Sequence, residues 1–234
     1  MKTSIKIVFA MIILSVAISS CKKSKKTTPV GPLGPNFPYA LNSLITPALL
    51  DTMENDGLVV NPGLTPATVN GIYLLSPDSC TFDNSVNSGA GTLYADLLFQ
   101  FSNQNNSTST IDFVYKTVNG TDSENGAAND GSIVSGGGMS FTIFAQDRDT
   151  TEGVASVLLF ITSGQVVSGG IKNMQFAFYV KSKGPDPNGY VVPVGTFRIF
   201  DNEGGLAATQ SSYSIKTKPI QSLRARAPRS IHRP

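Results

Sequence analysis

The sequence predicts an all-β protein of about eight antiparallel strands, arranged as a barrel or a two-sheet sandwich and preceded by a short N-terminal helix. Two patterns carry this. From Val69 onward apolar residues recur at every second position, as in Leu93, Ala95, Leu97, Phe99 and Phe101, the period that puts strand side chains on one face. The stretches between are rich in Asn, Gly and Ser, and none has the length or period of a crossover helix, so parallel pairing has no connection to use.

Taken in order, Met1–Ser20 opens with Lys2 and Lys6, runs apolar from Ile7 to Ile18 and closes on Ser19-Ser20-Cys21. A charged start, an apolar centre and small residues before a cut make residues 1–20 a secretory signal peptide. The apolar stretch is well short of the roughly 20 residues that span a bilayer. Residues 21–38 form a tether, Lys-rich at first and then Pro- and Gly-rich, which buries little.

The β-domain occupies 39–215. Thr46 can cap a helix with Pro47 at its first position, Leu49, Leu50 and Met53 on its apolar face and Gly57 as its stop. Such a face packs on a core, and the expected place is a lid over one end of the β-structure. Strands are expected at Gly71–Ser76, Leu93–Phe101, Ile111–Tyr115, Gly131–Ser135, Phe141–Ala145, Val157–Ile161, Met174–Val180 and Tyr190–Phe200. Val157–Ile161 is apolar at every position and so must be covered on both faces. Turns are expected at Ser102–Asn106, Asn119-Gly120, Asn125-Gly126, Ser163-Gly164, Ser168–Gly170 and Gly184–Gly189.

Charged residues are only 15% of the chain, and the net charge of +2 is uneven. Lys22, Lys23, Lys25 and Lys26 sit near the tether's start. Residues 216–234 form a basic tail with no apolar period, expected to be disordered and suited to anionic head groups. The middle is acidic, which argues against nucleic acid as a partner.

The chemistry available is limited. His232, in the tail, is the one histidine, so a nucleophilic Ser or Cys has no base beside it. No zinc-binding or phosphate-cradling pattern occurs, and Gly136-Gly137-Gly138 reads as a bend or bulge between strands. Asp147, Asp149 and Glu152, or Asp201 and Glu203, could offer oxygen ligands to Ca²⁺ but lack the spacing of a Ca²⁺ loop, and they read as solvated turns. The reading is therefore no catalytic residues, no metal and no cofactor. Cys80 reads as a small buried hydrophobe.

Four resemblances add to this. The small residues before Cys21 resemble a bacterial lipoprotein signal, which implies that Cys21 becomes the first mature residue and carries acyl chains, palmitate among them. Two or three chains are needed for durable attachment. The implied location is the outer membrane of the cell, facing the periplasm. Residues 62–77 (PGLTPATVNGIYLLSP) and 195–205 (GTFRIFDNEGG), with the Lys-rich segment after the cysteine, resemble a family of uncharacterised Bacteroidota lipoproteins. Asp149-Thr150-Thr151 resembles the O-glycosylation acceptor pattern of that phylum and marks Thr150; Asp51-Thr52-Met53 is a second match.

Finally, a helical segment followed by Gly71-x-Tyr73 on a first strand is similar to the lipocalin or calycin plan. That plan implies a ring at Tyr73 packed across the closed end of a barrel, with a late-strand cation over it, and Arg198 is the matching cation. An outward Arg198, or one paired with a carboxylate, is the alternative. The functional expectation is a non-enzymatic, lipid-anchored binding module for a small molecule, glycan or protein. Its site would lie at an open barrel end or among the Asn/Ser/Gly-rich loops. The alternative is a structural or accessory subunit of an outer-membrane complex.

Overall fold

A computed structural model describes residues 30–85, 88–118, 125–127 and 131–213, the side chains of 125–127 excepted. The expected signal peptide, Cys21, most of the expected tether, the turn expected at Asn119-Gly120 and the basic segment 216–234 lie outside the described residues.

The chain is all-β. Among the described residues a 3-10 turn (Tyr39–Ser43) and one helix, α1 (Pro47–Asn55), precede β1 (Leu64–Thr65), β2 (Gly71–Leu75), β3 (Asp78–Asp83), β4 (Leu93–Tyr94), β5 (Leu97–Asn105) and β6 (Thr110–Thr117). Then come β7 (Asn125–Ala127), β8 (Ser132–Gly137), β9 (Ser140–Thr151), β10 (Val154–Val167), β11 (Gly170–Lys183), β12 (Phe197–Asn202) and β13 (Leu206–Thr209).

Three pairs of these segments run on as single bent strands. β2 and β3 face β5 and β4 in one continuous antiparallel register, from Gly71 opposite Phe101 to Ser79 opposite Leu93. β12 and β13 likewise lie along β3 and β2 on one side and β11 on the other. Eight long strands therefore pair with their sequence neighbours, and the last pairs with the first. The sheet returns on itself as an up-and-down barrel. Among the described residues closure is thinnest between β6 and β8, where Thr110 opposite Ile133 is the one register pair, helped by Ser132 Oγ donating to Ile111 O.

Every second residue points inward. Phe99, Phe101, Phe113, Tyr115, Phe160 and Phe176 meet inside the barrel with ring centroids 5.3–6.3 Å apart. That is the spacing of tilted and offset ring pairs. Eight strands enclose about enough room for side chains to fill, and here aromatic rings fill it.

The helix forms as its caps dictate. Leu49 N donates to Thr46 Oγ1 at 3.3 Å, Pro47 occupies the first turn, and Gly57 at φ 107° takes a left-handed conformation that ends it. Its docking place differs from the expected lid. Leu50 and Met53 pack with Phe144, Leu159, Ile161, Ala177, Phe197 and Ile199 on the outer wall of the barrel. Each such burial is worth about 1.5–3 kcal/mol. The wall needs this cover because β10 is apolar on both faces: Leu158 and Phe160 enter the interior, Leu159 and Ile161 meet the helix side.

Three further expectations are corrected. Ser163-Gly164 is not a turn but lies within β10, paired with Thr142 and Phe141 of β9, and glycine suits the site because a side chain at 164 would run into Ile171 Cγ2. Asn125-Gly126 belongs to β7, paired with β6. Tyr190–Thr196 is a loop, and the strand begins only at Phe197. Three further segments, β1, β3 and β13, are not among the expected strands, and β3 is the longest. Its Asp78, Ser79 and Asp83 are buried because β12 supplies a ladder and Arg198 a charge partner.

Candidate functional site

The strand register defines two barrel ends. At the upper end, β3 leads into residues 84–92, β9 and β10 turn at Glu152-Gly153, and β11 leads into residues 184–196. At the lower end, β5 and β6 turn, and residues 66–70 cross before β2.

Arg198 and Asp83 face each other at the upper end, 1% and 7% exposed. Arg198 Nε donates to Asp83 Oδ2 at 2.8 Å. The guanidinium also stands 5.7 Å over the Phe178 ring. Asp83 accepts in addition from Ser85 N at 2.8 Å and Gly89 N at 2.7 Å, so one carboxylate ties the following loop to the barrel. Burial pushes its pKa up, but the hydrogen bonds from Ser85 and Gly89 and the charge of Arg198 win, and the group titrates below the usual carboxylate range.

A second carboxylate organises the neighbouring loop. Asp186 receives Lys183 Nζ at 2.8 Å, Tyr190 N at 2.8 Å and Val191 N at 2.9 Å. The Lys183 hydrogen bond is the largest reason its pKa falls to about 2. Asp83 thus ties down Ser85 and Gly89, and Asp186 ties down Tyr190 and Val191, with Tyr190 and Val194 exposed on the 184–196 loop.

The lower end is closed by Val69, which is fully buried in the aromatic core. Gln104 holds it there: its Oε1 accepts from Val69 N at 2.8 Å, and its Nε2 donates to Ala67 O at 2.9 Å. Beside it Thr68, Asn103, Gln104, Asn105 and Asn106 line an open groove of about 460 Å³. Asn103, at φ 52°, produces the irregularity in the β5–β6 register that spreads these side chains along the groove.

Tyr73 and Arg198 are not brought together. Tyr73 opposes Thr209 at the lower end and packs on Phe101 at 6.0 Å, whereas Arg198 opposes Asp83 at the far end of the same strand pair. The carboxylate pair, not the Tyr73 ring, accommodates the buried cation. Thr150 is exposed on the outer face of β9, beside Arg148 and Ser182 in a shallow groove of about 370 Å³. Thr52 is exposed on α1 and donates its hydroxyl to Ala48 O at 2.9 Å.

Asp147 is not a solvated turn residue: it sits in β9, 6% exposed. Asp201 is half-buried in β12, and Glu203 lies in an exposed turn. Among the described residues no three His, Cys, Asp or Glu side chains converge as metal ligands. Cys80 is fully buried and unpaired, and burial pushes its thiol up to about 11. The sequence marks Ser102–Asn106 as a turn, but Ser102–Asn105 lie in β5 and the turn falls at 106–109, because the strand runs on past its last inward ring. The loop-pinning roles of Asp83 and Asp186 had no sequence signal, since any carboxylate before a loop looks the same.

These features define a closed antiparallel β-barrel with an aromatic-filled interior, an external helix and pinned loops. No protein-family model, no curated protein and no solved structure matches this chain.

Proposed function

We propose that the protein is a non-enzymatic binding module of the cell envelope, anchored through acyl chains on Cys21 at the outer membrane and facing the periplasm, which recognises its partner with the loops at its barrel ends. The observation that carries this reading is the filled interior. Rings from seven strands, β2, β5, β6, β9, β10, β11 and β12, occupy the space in which a barrel of this size would hold a small ligand. Recognition then falls to the ends, where pinned loops lose little conformational entropy on binding. The high pKa of the Cys80 thiol speaks only against Cys80 itself as a nucleophile, since the thiolate is the reactive form.

A second reading, an accessory subunit docked on an outer-membrane complex, draws on exposed apolar side chains around the upper end: Leu93, Val118, Tyr190 and Val194.

Photo-crosslinking side chains placed at Tyr190, Asn105 and, as a wall control, Thr52 test the reading in intact cells. Adducts at Tyr190 or Asn105 and none at Thr52 are expected. Adducts confined to Thr52, or none anywhere, overturn it. Cys21→Ala is expected to release the chain from membranes, and a variant that still pellets with them in high salt removes the anchor.

A further inference from the structure

The lower groove differs in chemistry from the rest of the surface. Its five lining residues are three asparagines, a glutamine and a threonine, with no charged and no apolar side chain among them. An amide carries a donor and an acceptor side by side, which matches a hydroxyl group that must both give and receive.

The amides are also oriented. Asn103 Nδ2 donates to Asp112 Oδ2 at 2.6 Å, which leaves Asn103 Oδ1 without a partner among the described residues. Asn105 Oδ1 accepts from Ser107 N at 3.0 Å and Ser107 Oγ at 2.6 Å, leaving Asn105 Nδ2 to donate elsewhere. Asn106 Oδ1 accepts from Gln104 Nε2 at 2.7 Å, and Gln104 is itself fixed to the chain at Ala67 and Val69. The remaining acceptor, donor and Thr68 hydroxyl therefore stand on a braced framework rather than on loose side chains.

We infer that this groove is a subsite for a neutral polyhydroxylated ligand, a run of sugar units in a glycan chain. An anion would find no cation among the lining residues, and an apolar ligand would find no apolar side chain there. No aromatic ring lines the groove, so hydrogen bonds alone hold each sugar and single-site affinity is weak. Many copies anchored on one membrane and meeting one polymer would raise it through effective concentration.

The inference rests on the binding-module reading and specifies its ligand. Its test uses the lipidated mature chain in detergent micelles, observed through its side-chain amide resonances. Maltohexaose, cellohexaose and chitohexaose are the titrants, with inorganic phosphate as the anionic comparison. At least one oligosaccharide is expected to shift the Asn103 and Asn105 side-chain resonances, and phosphate is expected to leave them in place. Asn105→Asp, nearly isosteric but without the amide donor, is expected to weaken that oligosaccharide by about tenfold or more while the backbone spectrum stays that of the native fold.

The inference is overturned if none of the three sugars moves these resonances, if phosphate moves them, or if Asn105→Asp binds as tightly as the native chain. With cross-links at Tyr190 still formed, such a result removes the glycan subsite and leaves the binding module standing.

Discussion

Arg198 and Asp83 form an ion pair inside the barrel, Nε to Oδ2 at 2.8 Å, with both side chains at most 1% exposed. The pair does two jobs at once. It neutralises a cation that the strand register forces inward between Phe197 and Ile199, and it anchors the loop that begins at Asn84.

Breaking that pair should be costly. Asp83→Ala strands a buried guanidinium and is expected to lower stability by about 3–5 kcal/mol in urea unfolding. The same measurement on Asp83→Leu with Arg198→Met, which removes both charges, should show a smaller loss. A double variant as unstable as the single one would mean that packing, not charge, is what Asp83 supplies.

The pair also sets an acid limit. Asp83 has a folded pKa below its unfolded one, so its contribution is present above the unfolded carboxylate value of about 4 and is lost as pH falls through the lower, folded value. Stability measured from neutral pH downward should therefore fall more steeply for the native chain than for Asp83→Asn. Parallel curves would contradict the assignment.

Asp201 behaves in the opposite sense. Burial raises its pKa, partly offset by the hydrogen bond with Gln175. The folded state then favours the proton, and stability is lost as pH rises from the unfolded carboxylate value through the folded one. Asp201→Asn is expected to raise Tm at pH 7 and to make no difference at acid pH. A lower Tm at pH 7 would show that the charge is needed.

Gly164 lies where β10 and β11 press together. Gly164→Ala places a methyl group against Ile171 Cγ2 and is expected to cost about 1–3 kcal/mol by overpacking. An unchanged unfolding midpoint would mean that the hairpin relaxes freely.

The aromatic core sets a loss of similar size. Phe176 touches Phe99, Tyr115, Phe160 and Phe200. Phe176→Ala is expected to cost about 3–5 kcal/mol. It also opens space inside the barrel, so acquired binding of a small apolar molecule, read as a rise in Tm, would show that the rings are what keep the interior closed to ligands.

Local features of the chain were enough to determine most of the elements. Period-two runs at Leu97–Phe101, Ile111–Tyr115 and Met174–Val180 became strands, and Thr46, Pro47 and Gly57 bounded the helix, because these signals act over a few residues. The apolar run Val157–Ile161 also announced that both faces of β10 would be covered. What covered the outer face was decided only in three dimensions, where Leu50 and Met53 found the wall formed by Leu159, Ile161 and Ile199. The same holds for β3, a polar segment made into a strand by β12, and for Arg198, whose partner among several carboxylates was chosen by register. Periodicity says which way a side chain points on its own strand. Which strand lies opposite depends on contacts between residues far apart in the chain, and no short pattern records those.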